Sequence, residues 1–222
     1  MTTWLRRKGT GHMGPGAVVR AGFLLTLLAV PGPTAESAPR PKAGDRPGPY
    51  FPTAVGDAWV SEVTYGGKVY EFKQVVTAVE SKGGVTVVTV RREEDRGSPK
   101  SGEYRVSDAG VFLAAYDGKP FDPPKCLLRL PARAGDGWEQ EHPPGGFGPG
   151  GKSTFRVGKE AEVEVPAGRF RAVSVEQVNE GGEADGRLTH WHAPGRGVVK
   201  VEGVLGKLEF RQVLKSFAPG PK

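Results

Sequence analysis

From Tyr50 almost to its end, the chain alternates apolar and charged residues with a period of two, broken at short intervals by glycine-bearing turns. Such alternation puts apolar side chains on one face of a strand and charged ones on the other. AWVSEVTY (58–65) meets KVYEFKQVVTAVE (68–80) across Gly66-Gly67, a two-residue hairpin signal. SKGG (81–84) leads into VTVVTVRREED (85–95), and SGEYRVS and GVFLAAY divide near Ala109-Gly110. Later come TFRVGKEAEVEV, the turn Pro166-Ala167-Gly168, RFRAVSVEQV, RLTHWHA, GVVKVEG and KLEFRQVLKSF. In the last of these, Leu208, Phe210, Gln212 and Leu214 share one face, and Glu209, Arg211 and Lys215 the other. No segment carries an apolar 3.6-residue period long enough for a helix. The chain is all-β.

It also reads as two duplicated halves. FPTAVGDAW (51–59) and LPARAGDGW (130–138) share apolar-P-x-x-x-G-D-x-W without a gap, 79 residues apart. Gly67-Lys68 falls opposite Gly151-Lys152, 84 apart, and YRVSDAGV (104–111) opposite WHAPGRGV, 87 apart. Three matches in one order with a slowly growing offset are the mark of a tandem repeat. The pseudo-repeats span 50–116 and 130–203, each with about five strands opened by a tryptophan. Antiparallel meanders of this kind form a curved sheet or half-open barrel. Trp59 and Trp138 then take equivalent places, as do Tyr104 and Trp191, and all four belong to core packing.

Glycine (34) and proline (20) concentrate at 31–52, 143–151 and 218–221, outside the alternating segments. Residues 1–37 have the form of an export signal. Arg6, Arg7, Lys8 and Arg20 precede AGFLLTLLAV (21–30), and small residues follow. That apolar run is shorter than the ~20 residues a membrane-spanning helix needs. Cleavage after Ser37 puts Ala35 at the −3 position, and Met13 is an alternative start. Residues 38–48 are a Pro/Arg-rich linker, 49–217 a single β domain and 218–222 a tail. The product is extracytoplasmic, periplasmic or secreted, with no stable membrane span after cleavage. Cys126 is the only cysteine, so no intrachain disulfide forms; it reads as a buried strand residue. Formal charge is +6, half of it in residues 1–37, and no dense Lys/Arg stripe points to nucleic acid.

GGFGPGGKST (145–154) spells two phosphate-binding patterns at once, G-x-x-x-x-G-K-S from Gly146 to Ser153 and G-x-G-x-x-G on Gly146, Gly148 and Gly151. A phosphate loop requires a strand before it and a helix N-terminus after it. Here WEQEHPP precedes it, and STFRVGKEAEVEV follows as a strand. The stretch is a hairpin connection, the expanded counterpart of Gly66-Gly67-Lys68, and no nucleotide is expected.

His190 and His192 flank Trp191, so both imidazoles lie on one strand face. With a third ligand such a pair could hold zinc or copper and support a metal-dependent hydrolase; His142 is the only other histidine after the signal. The plainer alternative puts both histidines on the solvent face and Trp191 in the core. RREED (91–95) reads as a solvated strand end. Glu160, Glu162 and Glu164 line one strand face and lack the loop geometry of a calcium site. No G-x-S-x-G elbow is present. These readings name no catalytic, cofactor-binding or metal residues and no cofactor.

YFPTAVGDAW, VEVPAGRFRAV and WHAPGRGVVKVE resemble a loose group of uncharacterised exported bacterial proteins, with Y-F-P-x-x-x-G-x-x-W, V-P-A-G-x-F and W-x-A-P-G-x-G-x-V-K motifs. The likeness covers about Tyr50 to Phe217; His192 stands where an aromatic is common in the group, and Arg196 where Val is common. The resemblance implies an exported antiparallel β domain, a curved sheet or half-open barrel like the periplasmic lipoprotein carriers. It carries no catalytic residues. The leading expectation is a non-enzymatic protein that binds an apolar ligand or an envelope protein in the concavity of its sheet. The alternatives are the hydrolase at His190 and His192 and a purely structural or assembly protein.

Overall fold

The computed structural model describes residues 48–94, 97–142, 151–181 and 185–221, with His142 described by its backbone. The export signal, nearly all of the linker and residues 143–150 of the glycine stretch lie outside the described residues. Twelve strands follow one another in chain order. The first six are β1 (Ala58–Tyr65), β2 (Lys68–Lys82), β3 (Val85–Glu94), β4 (Lys100–Ser107), β5 (Gly110–Tyr116) and β6 (Lys119–Arg129). The last six are β7 (Gly137–His142), β8 (Gly151–Val165), β9 (Gly168–Glu180), β10 (Gly186–Ala193), β11 (Gly197–Leu205) and β12 (Leu208–Ala218).

All twelve join one antiparallel sheet in the order β6-β5-β4-β3-β2-β1-β12-β11-β10-β9-β8-β7. Each set of six is a meander of hairpins, and the two meet where β1 pairs with β12, Ala58 opposite Ala218 through Tyr65 opposite Phe210. The sheet curls into a nearly closed, barrel-like form whose edges are β6 and β7. The expected half-open barrel is what the chain forms, with six strands per half where five were legible. Of β6 only the strand around Cys126 was legible, because Pro120, Pro123 and Pro124 break the pattern before it, and β7 was legible only as the strand that Trp138 opens.

β6 and β7 are the two edges of the sheet, and no backbone ladder joins them among the described residues. In its place the Gln140 side chain of β7 reaches across, and its Oε1 accepts from the Cys126 N–H of β6 at 3.0 Å. The Arg129 guanidinium adds a contact over the Trp138 ring, 5.6 Å from its centre.

The inner face holds one apolar core drawn from both halves, including Trp59, Val76, Val88, Val111, Leu128, Trp138, Val157, Val175, Val199 and Leu214. The outer face carries ion pairs such as Arg171–Glu160 and Arg187–Glu176, and Lys215 bridging Glu62 and Glu71. That polarity is the reverse of a membrane-spanning barrel, which is apolar outside and polar inside.

The halves repeat one local geometry. Gly56 N–H donates to Val76 O (2.9 Å), Val76 N–H to Asp57 O (2.9 Å) and Asp57 N–H to Ala54 O (3.0 Å). Gly135, Val157, Asp136 and Arg133 make the same three bonds at 2.9, 2.8 and 3.0 Å. Trp59 pairs across the ladder with Gln74, and Trp138 with Phe155. The Trp59 indole N–H therefore donates to Gln74 Oε1 at 3.0 Å, whereas Trp138 stacks on Phe155 at 4.8 Å and its indole N–H has no partner.

One match moves by a residue. Val76 pairs with Val90, and Val88 of the same strand faces Tyr104; Val157 pairs with Val175, and Val173 faces His192. The counterpart of Tyr104 is thus His192 and not Trp191. Matching bulges at Glu103/Tyr104 and Trp191/His192 mark the same register. Counting back from Gly110 and Gly197 misplaces it, because the second hairpin reaches its glycine one residue sooner.

Candidate functional site

Cross-strand registers lay out the inner face as rows. One row runs Val157, Val175, His190, Val201, Gln212, Val63, Tyr70 from β8 to β2. The next, nearer the hairpin ends, runs Phe155, Gln177, Leu188, Gly203, Phe210, Tyr65, Lys68. Along both rows the cover thins in one direction. Val175 is 1% exposed, Tyr65 37% and Tyr70 50%. At this end of the barrel the inner face is therefore buried on the β8–β11 side and barer on β12, β1 and β2, whereas further along those same three strands Trp59, Ser61, Phe72 and Leu214 are buried. Val63, Tyr65, Tyr70, Leu208 and Phe210 form that bare wall, with the Tyr65 and Phe210 rings 6.2 Å apart.

The sequence signal for this wall was present and unread. Tyr65 and Tyr70 bracket the Gly66-Gly67-Lys68 turn, and Leu208 and Phe210 follow the Gly206-Lys207 turn. Each looked like ordinary strand alternation. Only the pairing of the first strand with the last brings them together.

Beside the wall lies a chain of polar side chains. Ser153 Oγ and Gln177 Nε2 both donate to Asn179 Oδ1 at 2.7 Å, and Gln177 Oε1 lies 2.9 Å from His190 Nε2. An amide oxygen only accepts, so His190 carries its proton on Nε2 and leaves Nδ1 as an acceptor. Burial lowers the His190 pKa to about 4. Burial, then the nearby His190, lowers that of His192 to about 3. Both imidazoles are neutral at pH 7.

The shared face of His190 and His192 is as expected, with ring centres 6.3 Å apart, but it is the inner face and not the solvent face. Trp191 lies on the opposite face, half-buried, with the Lys200 ammonium 4.7 Å from its ring centre. The β9 ladder runs unbroken through His190, Trp191 and His192, so plain alternation sets both histidines inward, opposite Val175 and Val173. No group of three or more His, Cys, Asp or Glu among the described residues is placed to hold a metal ion. Among the described residues the histidine pair finds no third ligand of the kind a hydrolase centre requires. Glu160 and Glu164 are spent in cross-strand ion pairs with Arg171 and Arg169. Cys126 is buried, and burial pushes its thiol pKa up, away from the reactive thiolate.

Of the glycine stretch, Gly151, Lys152 and Ser153 open strand β8. Lys152 pairs with Glu139 at 2.7 Å, and Ser153 points inward to Asn179. No helix N-terminus stands at Lys152. A groove of about 480 Å³ lies along β7, β8 and β9, lined by Glu139, Thr154, Arg156 and Glu176 among others. Its acids are already engaged by Lys152 and Arg187, so the bare wall is the stronger candidate.

No family model and no curated protein matches the chain. Its fold is similar to that of a solved structure from Parabacteroides distasonis ATCC 8503, provisionally named a lipoprotein. That match has a TM-score of 0.52 at 15% identity and covers 78% of this chain and 100% of the other. A second, an exported protein, provisionally so named, with YmcC-like fold from Bacteroides fragilis NCTC 9343, has a TM-score of 0.49 at 17% identity over 77% and 99%. At such identities the first likeness speaks for the fold alone, one antiparallel barrel-like sheet.

Proposed function

We propose that this chain is an extracytoplasmic, non-enzymatic binding protein, which takes an apolar ligand or the apolar segment of an envelope partner on the bare inner wall of β12, β1 and β2. One observation carries the reading: at the hairpin-tip end a single sheet face is covered on one side and leaves Tyr65, Tyr70 and Leu208 exposed on the other, beside the half-buried Val63 and Phe210. Exposed apolar surface on that scale favours an occupant, since burying it releases about 25 cal/mol per Å². The signal-like residues 1–37 support export, and the provisional naming of the fold neighbour as a lipoprotein accords with that setting. Two neutral, buried histidines hydrogen-bonded to an amide favour a structural role over hydrolysis. The test is native mass spectrometry of protein purified from its own envelope fraction. The native chain is expected to retain a ligand that Tyr70→Ser/Phe210→Ser loses. A native chain with no adduct, or equal occupancy in the variant, refutes the wall as a binding site.

A further inference from the structure

The exposed outer face is charged along most of the sheet, but the pattern stops at two neighbouring hairpin tips. Val69 in β2 and Val204 in β11 stand on the outer face, 61% and 42% exposed, where Glu71 and Glu202 continue the charged pattern two residues away. Tyr65, Tyr70 and Leu208 are exposed on the inner face of the same two hairpins. Both tips thus carry an exposed apolar side chain on each face, with Val69 beside Thr64 and Val204 between Arg187 and Glu209 on the outer one. They sit side by side, with Tyr65 opposite Phe210 and a Cβ built on Gly66 only 3.3 Å from Leu208 Cδ1.

Charge sharpens the choice of partner. Lys68 and Lys207 flank the two turns, and neither makes an ion pair among the described residues. Deeper in the strands, Glu62 and Glu71 are engaged by Lys215, and Glu202 by Lys200. Glu209 is the acid that opposes the turn lysines, and Arg211 follows it. Aliphatic tips with tyrosine rings a step behind and free lysines at the turns suit a membrane–water interface: rings rest among headgroups while lysines reach phosphates. A protein groove would accept the apolar side chains alone; the free lysines favour anionic headgroups.

We propose that the β1–β2 and β11–β12 hairpins dock together on an anionic phospholipid surface, with Val69, Val204 and Leu208 entering the headgroup boundary. Leu208 belongs to the inner wall as well, but Val69 and Val204 face away from it, so their entry into lipid does not depend on a ligand there.

The test uses the full chain carrying a polarity-sensitive fluorophore at Leu208→Cys; Cys126 is buried and stays unlabelled. A control label at Lys82→Cys lies in the β2–β3 turn, at the other end of β2. Both are titrated with phosphatidylcholine vesicles, with and without phosphatidylglycerol. A blue shift at Leu208 with anionic vesicles and none at Lys82 is expected, which separates the hairpins from any binding by residues 1–37. Adding Val69→Ser/Val204→Ser should weaken partitioning about tenfold or more, and Lys68→Glu/Lys207→Glu should remove the preference for phosphatidylglycerol. No shift at Leu208, equal shifts at both sites, or variants that bind as the parent does would overturn the proposal. So would a Leu208 shift that appears without lipid on raising protein concentration, which assigns the hairpins to self-association.

Discussion

Asp57 is a buried carboxylate that holds two ends of the chain at once. Its Oδ2 accepts from Ala54 N–H at 3.1 Å and its Oδ1 from Gly220 N–H at 2.9 Å, so the closing residues are tied down and not a loose tail. Asp57→Ala leaves two donors without partners and should cost about 1–3 kcal/mol, read as a lower urea midpoint at unchanged slope. The buried histidines give a second residue-scale prediction. Unfolded, each titrates near 6.5; folded, His190 does so near 4 and His192 near 3. Between those limits the unfolded chain binds more protons, so the stability is complete above pH 6.5 and lost as pH falls towards 3. At about 1.4 kcal/mol per unit, going from pH 6.5 to 5 should remove about 2 kcal/mol for each histidine. Urea unfolding across that range should show the slope, and His190→Gln/His192→Gln should flatten it; a flat profile for the native chain refutes it. The sequence made the shared face of these histidines legible through their two-residue spacing. It could not say which face, because that is set by their pairing with the buried Val175 and Val173 of β9.

At the scale of elements, most strands were legible because alternation and glycine turns are local signals. The β6 and β7 edges were legible only in part, through Cys126 and Trp138. Three prolines disguise the rest of β6, and β7 is six residues long beside a glycine-rich connection. The seam between them consists of a side-chain bond where β1 and β12 have a backbone ladder. Gln140→Ala should therefore cost only about 1 kcal/mol, the net worth of one hydrogen bond. Its effect should be local: faster hydrogen exchange at Cys126 and its β6 neighbours, with β1 and β12 unchanged. Equal acceleration across all twelve strands would mean that the seam supports the whole barrel. The bare wall was illegible for a related reason. Each of its residues obeys the alternation rule, and its exposure follows from which strands lie beside it and how far the cover extends.

The whole molecule carries one long-range junction, β1 with β12, and otherwise every strand pairs with its neighbour in sequence. That makes chain order separable from the fold. Joining residue 221 to residue 49 through a short glycine linker, and opening the chain between Ala132 and Arg133, gives a permuted order β7 to β12 followed by β1 to β6. In that order every pair in the sheet is sequential, and the late pairing of Ala58–Tyr65 with Phe210–Ala218 becomes a local hairpin. The native ends suit the joint, since Gly220 N–H already bonds Asp57 beside the start of β1. The opened connection is exposed from Arg133 to Gly137, and exposed loops tolerate new termini. Lower contact order speeds folding, so the permutant should refold faster than the parent, while native signals such as the near-ultraviolet spectrum of Trp59 and Trp138 are kept. Losing the Gly135 and Asp136 turn is the main stability risk, because those residues bond Val157 and Arg133; a second opening between Asp108 and Ala109, in the β4–β5 turn, controls for it. If the first permutant folds no faster while the second retains the native spectrum, the β1–β12 junction is not the slow step, and the two meanders assemble before they close on themselves.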